Sequence, residues 1–576
     1  MEDYRVRYQQ WLEDPFIDEE TKAELRSIAD NETEIKERFF KELEFGTGGL
    51  RGIIGNGSNR LNQYTVGKAS QGLANYILKE GTQDKGVAIA YDSRFMSPEF
   101  AEVAGLIFAA NGIPAFVYPS LRPVPMLSFA VRELGCTAGV VLTASHNPPE
   151  YNGYKVYWAD GAQVVAPRDK GIITEVNAVT DFGQIKRMDR AEAEAKKLFN
   201  LIGAEVDEAF DKNVQASLMN HEMIQRMGDK LNIVYTPLHG SGNMPVRRNL
   251  EKAGFKNVYI VKEQEAPDSS FSTVDYPNPE DTKVFVMAQE LAAKVDADIL
   301  IGTDPDCDRV GAMVKDDKGE FVALTGNHVG ALATEYILSQ RKAQGRLPEN
   351  GAVIKTIVST EMITPICEAY GVEKMDVLTG FKFIGEKIKG FEETGSHTFL
   401  YGFEESYGCL GGTYARDKDA VFASVLICEM AAYYKEKGMT LYEALLALYE
   451  KYGYFREGVK SLTMKGLEGM ERIQLIMKTF RENTPAALGG FKVVVAKDYK
   501  TQVFKNLVTG EESGSPLPVS DVLHYTLEDG TWVCIRPSGT EPKLKFYIGV
   551  KADSLQAAEE KVAVLDQDID AKIAAI

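Results

Sequence analysis

Short apolar runs that stop at polar loops recur along the whole chain. Each run is rich in β-branched or aromatic residues, and a helical pattern often follows the loop. In open α/β sheets, ligands bind just beyond the carboxyl ends of the strands, where such loops collect. The pattern therefore predicts several α/β units whose loops face one shared cleft. The runs are residues 87–91 before DSR, 140–142 before TASHNP, 233–235 before TPLHGSG, 299–302 before TDPDCDR, 398–401 before GFEESYG and 532–535 before RPSGTEPK.

These patterns divide the chain into four predicted domains. At about 100 to 200 residues per domain, a chain of 576 residues is expected to contain three to five. A charged helical region separates the TASHNP unit from the next strand and carries the first boundary. We predict α/β domains at residues 1–207, 208–323 and 324–455, and a smaller α+β domain at residues 456–576.

The last domain differs from the others in its pattern. It opens with the helical segment GLEGMERIQLIMKTF, and Glu528-Asp529-Gly530 predicts a tight turn between two strands. In the alternating segment KLKFYI, residues 543–548, we expect Leu544, Phe546 and Ile548 to face the core and Lys543, Lys545 and Tyr547 to face the other side. An amphipathic helix is predicted from about residue 555.

Composition and charge narrow the class of protein. With 44% hydrophobic and 26% charged residues, the chain has the composition of a soluble globular protein. A formal net charge of −19 disfavours nucleic acid or an anionic membrane as a partner, so any bound anion requires locally concentrated Arg and Lys. The first residues lack the apolar segment of a secretory signal, and the run at 420–434 is too short to span a bilayer. Six scattered cysteines without a CxxC pair predict free buried thiols and a cytoplasmic location.

The most specific motif is Asp304-Pro-Asp306-Cys-Asp308-Arg309, directly after an apolar strand. Three carboxylates at this spacing can point into one small volume, where their repulsion requires a cation. An EF-hand calcium loop is rejected because Arg309 and Lys315 occupy the positions that need Gly and Glu. Ligands that are all oxygen favour Mg²⁺, whereas the alternative is an acidic turn without a metal.

The loop TASHNP holds a serine, Ser145, whose role the loop alone leaves open. Neither Gly-x-Ser-x-Gly nor Ser-x-x-Lys is present, so hydrolase and penicillin-binding motifs do not apply. The neighbouring His146 could act as a base or bind phosphate. Ser145 and Asn147-Pro148 could equally form an ordinary turn, so a nucleophile and a turn residue remain equal alternatives at this point.

Four further segments bear on the ligand. Arg536-Pro-Ser538-Gly539-Thr540, followed by Lys543, has the guanidinium, hydroxyls and glycine N–H groups of a phosphate-binding loop, with a polar turn as the alternative. Glu404-Glu405-Ser406 suits sugar hydroxyls, although exposed Glu pairs are common. The Gly-rich segment 46–52 lacks dinucleotide spacing, and TGFKFIGEK at 379–387 lacks the Gly-Lys of a P-loop, so neither a dinucleotide nor ATP is supported. Isolated histidines are mostly expected to be structural, with His239 the one to examine.

Together these loops offer a hydroxyl nucleophile, a divalent-metal triad and a separate phosphate-binding loop, with no nucleotide motif to supply a phosphate donor. This combination predicts phosphoryl transfer on a small polar molecule.

The motifs also resemble those of a known family, the α-D-phosphohexomutases, which include phosphoglucomutases and phosphomannomutases. TASHNP with YNGYK, DPDCDR, FEESYG and RPSGTEPKLKFY occur in the family's order and at its approximate spacing, so the resemblance covers essentially the full chain. It implies four domains around a central cleft, three of them related mixed α/β domains. It also implies a phosphosugar mutase, an intramolecular phosphotransferase whose partner is a small sugar phosphate and whose intermediate and activator is a sugar bisphosphate.

The resemblance assigns roles to individual residues of this sequence. It implies that Ser145 carries the phosphoryl group and that Ser145, Asp304, Asp306 and Asp308 hold one Mg²⁺ per subunit. It implies that Arg51 and Arg309 stabilise the transferring phosphoryl group and that Lys155, Lys382 or His146 assists proton transfer. The substrate-binding residues implied are Glu404 and Ser406 for the sugar hydroxyls, and Arg536, Ser538, Gly539 and Thr540 for the phosphate that does not react.

The expected sugar depends on finer features of these loops. The loop Gly402-Phe403-Glu404-Glu405-Ser406, with GTGGLRG and TGFKFIGEK, resembles the branch that holds bacterial phosphoglucomutases and phosphopentomutase-like members. Glucose phosphate is the first expectation, with pentose phosphate or mannose phosphate as alternatives. A serine-nucleophile sugar phosphatase and a non-catalytic sugar-phosphate sensor are alternatives of other classes, and both a monomer and a homodimer are compatible with the sequence.

Overall fold

The computed structural model describes residues 3–46, 48–464, 466–538 and 543–576 of the chain. The strands of the described residues form four sheets, one for each predicted domain. We number these domains I to IV in chain order. The predicted α/β fold class with a different C-terminal domain is confirmed.

Domain I is a mixed sheet covered by helices. Its strands are β1 (Gly49–Ile53), β2 (Val87–Tyr91), β3 (Ala115–Val117), β4 (Ala138–Leu142), β5 (Tyr151–Trp158) and β6 (Phe199–Leu201). Its helices are α1 (Tyr4–Glu13), α2 (Glu19–Ser27), α3 (Glu32–Phe39), α4 (Gln63–Glu80), α5 (Ser97–Ala110), α6 (Val124–Glu133), α7 (Arg168–Ala178) and α8 (Arg190–Ala195). The strand order is β1-β5-β4-β2-β3-β6, with β2 and β4 parallel and β5 antiparallel to β4. Every residue of β2 and β4 is buried, which explains their unbroken apolar runs.

Domain II is also a mixed sheet covered by helices, and it has a hairpin at the motif DPDCDR, residues 304–309. Its helices are α9 (Ala204–Ala216), α10 (His221–Met227), α11 (Asn243–Ala253) and α12 (Val286–Val295). Its strands are β7 (Asn232–Thr236), β8 (Asn257–Ile260), β9 (Ile299–Thr303), β10 (Val310–Lys315) and β11 (Phe321–Leu324), in the order β11-β10-β9-β7-β8. Strands β9 and β10 pair antiparallel with Thr303 opposite Val310, so residues 304–309 form the loop of a tight hairpin.

Domain III has a smaller sheet with parallel strands at its centre. Its strands are β12 (Gly351–Thr356), β13 (Glu373–Val377), β14 (Thr398–Phe403) and β15 (Cys409–Leu410), in the order β13-β12-β14-β15. Its helices are α13 (Gly326–Ala343), α14 (Ile363–Tyr370), α15 (Phe381–Thr394), α16 (Ala420–Glu436) and α17 (Leu441–Tyr452). Because β12 is parallel to both β13 and β14, the loops that follow these strands lie at one edge of the sheet.

Domain IV is an antiparallel sheet flanked by two long helices, α18 (Gly466–Glu482) and α19 (Leu555–Ala574). Its strands are β16 (Tyr454–Thr463), β17 (Ala487–Leu488), β18 (Phe491–Asp498), β19 (Val503–Asn506), β20 (Glu512–Gly514), β21 (Leu523–Leu527), β22 (Trp532–Pro537) and β23 (Lys543–Ala552). The predicted turn between β21 and β22 is present, with Gly530 at a φ of 84°. The predicted alternation in β23 also holds: Leu544, Phe546 and Ile548 lie in the domain core. Tyr547, on the other side, is buried because that face packs against domain III.

The element ends lie close to the predicted domain boundaries without coinciding with them. Residue 207 falls inside α9, 323 inside β11 and 455 inside β16, because the apolar pattern of each element runs across the predicted position. The loops nearest to these positions lie before Ala204, after Leu324 and at Gly453, whose φ of 109° ends α17.

Aromatic contacts hold domains I, II and III together. The ring of Phe210 on α9 packs edge-on against Phe129 of α6 and against Tyr414, with centroid distances of 5.7 Å in both pairs. Such edge-to-face pairs stabilise an interface beyond the area that they bury. The loops of these domains are therefore fixed relative to one another.

Two predictions about the whole chain can be compared with this fold. All six cysteines are free and buried, as predicted. None of the described helices combines the length and apolar character needed to cross a membrane.

Candidate active site

Ser145 lies just after β4, in a backbone conformation that its neighbours enforce. Its φ is 53°, in the left-handed region that is uncommon for a residue other than glycine. The Ser145 N–H donates to Thr143 Oγ1 at 2.8 Å, and the Thr143 hydroxyl donates to Asp92 Oδ2 at 2.7 Å. Only 4% of Ser145 is exposed. The serine is therefore held in one strained position, which is typical of a functional residue.

Arg94 supports this loop from beneath. It is 1% exposed, and its guanidinium donates to the carbonyl oxygens of Ser145, Asn147, Pro148 and Tyr151. A planar guanidinium with several fixed donors can satisfy such a group of acceptors, whereas an ammonium cannot. The sequence alone indicates only that Arg94 stands in a polar loop after a strand. Its position shows how the chain fixes the loop shape.

The aspartates of the second loop converge as their spacing predicts. Asp304, Asp306 and Asp308 are buried, and one carboxylate oxygen of each lies within 4.8 Å of the others. Cys307 between them has a φ of 52°, which turns the chain so that the flanking aspartates face one volume. The Asp308 and Arg309 N–H groups donate to Asp304 Oδ1 at 3.1 and 3.0 Å, which closes the loop on itself.

Ser145 faces this triad directly. Its hydroxyl donates to Asp304 Oδ2 at 2.8 Å, across the contact between domains I and II. Within the described part of the chain, the buried oxygens Asp306 Oδ1 and Asp308 Oδ1 have no hydrogen-bond partner. Buried carboxylate oxygens are costly without a partner, and a divalent cation is a partner that this all-oxygen group suits. The triad can therefore hold a metal ion beside Ser145.

The pKa values of the triad reflect how little water reaches it. Burial, together with repulsion from Asp306 and Asp308, raises the pKa of Asp304 well above its ordinary value. Burial opposes ionisation of Asp306 as well, but the ammonium of Lys155 and a hydrogen bond with Asp304 hold the pKa of Asp306 below its usual range.

Two lysines lie against the carboxylates of the triad and offset part of their negative charge. Lys155 Nζ lies 3.0 Å from Asp306 Oδ2, and Lys418 Nζ lies 3.2 Å from Asp308 Oδ2. Lys418 also pairs with Asp417 Oδ1 at 3.1 Å and lies 3.9 Å from Glu404 Oε1. Lys418 thus connects residues 304–309, the predicted metal-binding loop (metal loop), to residues 404–406, the predicted sugar-binding loop (sugar loop).

Sequence reasoning missed Lys418 and Asp417. They stand just before α16, which Asp419 caps by accepting hydrogen bonds from Val421 N at 2.8 Å and Phe422 N at 3.0 Å. The charged segment RDKD ahead of a buried helix was the available signal. Nothing in the sequence alone connects it with loops that lie far away along the chain.

Arg309 and His146 lie beside the serine and the triad. Arg309 donates to Glu280 Oε1 at 2.6 Å, a partner that sequence analysis did not identify, and its Nε lies 3.8 Å from Asp308 Oδ1. His146 Nδ1 lies 3.2 Å from Ser145 Oγ. Burial, with the positive charges of Arg309 and Arg51, lowers the pKa of His146 well below its ordinary value, so the imidazole is neutral. Arg51 is partly buried on β1, whose neighbour β5 carries Lys155.

The sugar loop begins where β14 ends. Glu404 is 5% exposed, and the Ser406 hydroxyl donates to its Oε1 at 3.1 Å. Burial raises the pKa of Glu404 to about 7, while Lys418 opposes the shift. The neighbouring Glu405 accepts a hydrogen bond from Thr356 Oγ1 at 2.9 Å. Of the two glutamates, Glu404 is thus the one placed next to the metal loop.

The predicted phosphate-binding loop, residues 536–543, is called the phosphate loop below; the structure describes residues 536–538 and 543 of it. Arg536 and Ser538 are partly buried at the end of β22, and Ser538 N donates to Lys543 O at 2.7 Å. Gly539 and Thr540, also predicted to bind phosphate, lie outside the described residues. Lys382 lies at the start of α15; burial lowers its pKa, and its charged neighbours are Asp169, Arg536 and Glu386. Among these charges is Arg536, which belongs to the predicted phosphate-binding loop.

His239 has a structural position. Its ring nitrogens lie 2.9 Å from the Ala266 carbonyl oxygen and 2.8 Å from Thr273 Oγ1, and the residue is 3% exposed. Both nitrogens are therefore occupied in holding the loop that follows β8.

Fold and site together define a four-domain α/β protein with a buried serine beside an aspartate triad that could hold a metal ion. Family models of the phosphoglucomutase/phosphomannomutase type match four successive parts of the chain. They are α/β/α domain I at residues 42–182, domain II at 209–319, domain III at 325–452 and the C-terminal domain at 485–567. The chain belongs to the phosphoglucomutase/phosphomannomutase family, and the resemblance to the α-D-phosphohexomutases is confirmed.

Individual relatives are similar in sequence to this chain over nearly its full length. A phosphoglucomutase of Staphylococcus epidermidis is 36% identical over 96% of this chain and 99% of its own, and one of Staphylococcus aureus is 37% identical over 92% and 94%.

Solved structures share the fold. Parafusin, a phosphoglucomutase of Paramecium in its open form, has a TM-score of 0.67 at 17% identity over 92% of this chain and 94% of its own. The N-acetylphosphoglucosamine mutase of Aspergillus fumigatus, in complex with GlcNAc-6P and magnesium, has a TM-score of 0.50 at 14% identity over 92% and 95%.

Proposed function

We propose that this protein interconverts glucose 1-phosphate and glucose 6-phosphate through a phosphorylated serine and a sugar bisphosphate. The observation that carries the proposal is the 2.8 Å hydrogen bond between Ser145 Oγ and Asp304 Oδ2, which sets a strained, buried hydroxyl against a metal-binding triad. Relatives named phosphoglucomutase, at 36% and 37% identity over almost the whole chain, support glucose phosphate as the substrate.

Asp304, Asp306 and Asp308 would hold Mg²⁺, with an oxygen of phosphorylated Ser145 as a further ligand. The unpartnered carboxylate oxygens of Asp306 and Asp308 fit a small hard cation, and magnesium accompanies the ligand in the Aspergillus mutase of the same fold. When bound, Mg²⁺ supplies positive charge that stabilises the phosphoryl oxygens during transfer.

In the forward half-reaction, a sugar hydroxyl attacks the phosphorus of phosphorylated Ser145. The new bond joins phosphorus to the sugar oxygen, the bond from phosphorus to Ser145 Oγ breaks, and the proton of the sugar hydroxyl ends on Ser145 Oγ, which becomes a hydroxyl again. Lys155 and Arg309 surround the triad with positive charge, which favours a transition state whose charge lies on the phosphoryl oxygens. Neutral His146, 3.2 Å from Ser145 Oγ, can accept this proton and pass one to the serine oxygen, which leaves the imidazole neutral again.

The product of this step is a sugar bisphosphate, whose other phosphate then returns to Ser145 by the reverse chemistry. The substrate-binding groups must therefore accept the sugar in two orientations. Glu404 and Ser406 offer a carboxylate and a hydroxyl to the sugar, and Arg536 and Ser538 offer charge and hydrogen bonds to the distal phosphate. Arg51 adds positive charge near the reacting serine, and Lys382 adds positive charge near the distal phosphate.

The test is an isomerase assay on the purified chain with Mg²⁺ and a trace of the matching sugar bisphosphate. Glucose, mannose, glucosamine and ribose 1-phosphates are compared for isomer formation and for release of inorganic phosphate. We expect glucose 1-phosphate to be converted fastest and without net phosphate release. Fastest conversion of ribose or mannose 1-phosphate would replace the proposed sugar.

A serine-nucleophile sugar phosphatase would use the same serine and metal but would transfer the phosphoryl group to water. The burial of Ser145 and of the triad favours the mutase, because both exclude the water that hydrolysis needs. Phosphate release equal to substrate loss, with no isomer, would favour the phosphatase.

A further inference from the structure

A second cavity, of about 540 Å³, lies between domains III and IV. Its walls come from β13 and the loop after β12 on one side, and from β18, β19, β21 and β22 on the other. We call it the interdomain cavity and define it by Glu361, Lys374, Asp376, Lys497, His524 and Trp532. Its volume falls within the range of small-molecule sites, about 300 to 1,000 Å³. None of the residues assigned above to phosphoryl transfer or sugar binding lines it.

On the domain III side, the charges are balanced. The fully buried Lys355 lies 2.8 Å from Glu361 Oε1 and 3.0 Å from Asp376 Oδ1. Lys374 lies 3.3 Å from Glu361 Oε2 and 2.9 Å from Asp376 Oδ2. Two lysines and two carboxylates therefore form a closed network, and this wall carries no net charge.

On the domain IV side, Lys497 has no such balance. Among the described residues, no carboxylate lies within 4.0 Å of its ammonium, and its Nζ lies 5.8 Å from the centroid of the Phe504 ring. Burial lowers the pKa of Lys497, while Asp376 and Glu361 act in the opposite direction. A partly buried ammonium without a paired carboxylate costs solvation energy that a bound anion would recover.

The rest of the domain IV wall is aromatic. Trp532 is 5% exposed and stacks on His524, with ring centroids 5.5 Å apart and planes at 19°. Tyr499 packs edge-on against Phe504 at a centroid distance of 5.0 Å. His524 is itself 7% exposed, and in the described part of the structure its Nδ1 has no hydrogen-bond partner. A buried polar nitrogen without a partner, on a cavity wall, is a second observation that points to a ligand.

We infer that the interdomain cavity is a binding site for a small organic anion, whose carboxylate or phosphate pairs with Lys497 and whose planar body lies against the Trp532 and Tyr499 walls. This ligand is distinct from the sugar phosphate of the proposed reaction. Its site shares a strand with the phosphate loop, because β22 carries both Trp532 and Arg536.

Fluorine NMR tests this site directly, because the chain has three tryptophans. Protein labelled with 5-fluorotryptophan should give resonances for Trp11, Trp158 and Trp532, and Trp532→Phe assigns the one in the cavity. The probes are benzoate and phenyl phosphate as anions, and benzylammonium as a cation of similar shape. All titrations are run with and without saturating glucose 6-phosphate, and the same shift under both conditions places the anion outside the sugar-phosphate site.

We expect benzoate or phenyl phosphate to shift the Trp532 resonance and to leave those of Trp11 and Trp158 in place. Benzylammonium should have little effect. Lys497→Met should weaken anion binding about tenfold, Lys497→Arg should retain it, and Lys500→Met should leave it unchanged. Lys500 is the matched control because it is exposed on the same segment and pairs with Asp521 at 3.4 Å.

If neither anion shifts the Trp532 resonance of the wild-type protein, the inference is wrong, whatever the variants do. An equal effect of benzylammonium, or unchanged anion affinity in Lys497→Met, would also overturn it. The spectrum of each variant without probe reports whether the three tryptophans keep their native environments. Isomerase activity does not enter the readout, so the result is independent of the proposed function.

Discussion

The two halves of the candidate active site are built in different ways. In the reacting half, Ser145 and the triad are 4% exposed or less, and hydrogen bonds and ion pairs connect them within a protein-only network. In the proposed substrate-binding half, Glu404 is buried, but Ser406, Arg536 and Ser538 are partly exposed at the ends of strands of domains III and IV. Groups that transfer a phosphoryl group need accurate positions, which folding can fix in advance. Groups that must bind and release a polar sugar in two orientations need access instead.

Removing the nucleophile should have the largest effect on activity. For Ser145→Ala, we expect isomerisation to fall by at least about 10⁴-fold, because no other described hydroxyl faces the triad in this way. Glucose 6-phosphate binding should change by less than about threefold, because its contacts lie in the other half. A coupled assay measures the first quantity and calorimetry the second. Turnover near the wild-type rate would remove the phosphoserine assignment.

Loss of the support beneath the serine should come next. Arg94→Met leaves four carbonyl oxygens without their donor and Asp92 without a neighbouring charge, so we expect about 3 kcal/mol of lost stability. A displacement of Ser145 by about 1 Å should lower kcat by about 10²-fold. Urea unfolding and steady-state kinetics measure the two effects.

The matched control for Arg94 is Arg190→Met, in the same domain. Arg190 is a surface residue that pairs with Glu194 at 2.9 Å and Glu102 at 3.2 Å, and such pairs contribute about 0 to 1 kcal/mol. If Arg94→Met matched this control in both stability and kcat, the loop would not depend on the guanidinium.

In the substrate-binding half, Arg536→Ala should act on affinity. We expect the KM for glucose 1-phosphate to rise about tenfold or more, because a charge-assisted hydrogen bond to phosphate is lost. The value of kcat should fall less, since the reacting groups lie elsewhere. Lys492→Ala, an exposed cation in the same domain, serves as the control for net charge. A kcat loss with unchanged KM would place Arg536 in the reacting half instead.

The same division explains how far the sequence could predict this protein. The strands before the polar loops were predictable, because buried parallel strands need apolar runs and their loops need polar residues, as at β2 with Asp92 to Arg94. The triad was predictable because its three aspartates are close in sequence and their repulsion calls for a cation. Local sequence patterns of this kind were enough to predict most residues of the reacting half.

What the sequence could not predict are the contacts between distant loops. Lys418 acquires its role only where the Asp308 loop of domain II meets the Glu404 loop of domain III. Glu280 reaches Arg309 in a similar way, from a loop with no motif of its own. The pairing of Lys418 with Asp308 depends on how domains II and III pack, through contacts such as Phe210 with Tyr414. The pairing of Glu280 with Arg309 depends on how two loops of domain II come together, and no periodicity along the chain encodes either pairing.

Two buried glutamates sharpen the comparison further, because burial alone does not make an acid part of the active site. Burial raises the pKa of both Glu404 and Glu429 to about 7. Glu404 lies beside Lys418 in the active site, whereas Glu429 on α16 accepts hydrogen bonds from Met219 N at 2.9 Å and Asn220 N at 2.6 Å. Glu429 therefore holds the start of α10 against α16.

Glu429→Gln should change stability and leave activity within about twofold of the wild type. Because the pKa rises from 4.5 to about 7 on folding, the folded chain binds this proton more tightly than the unfolded chain. The stability contribution is therefore greatest below pH 4.5 and falls as pH rises to about 7, by about 3 kcal/mol at most. Glutamine keeps an acceptor oxygen without the charge, so the variant should gain stability relative to wild type between pH 5 and pH 8.

Urea unfolding at several pH values measures this gain, with Glu436→Gln on the same helix as an exposed control. Parallel pH profiles for wild type and Glu429→Gln would show that the carboxyl stays ionised when buried, and a large loss of kcat would extend the active site to α16.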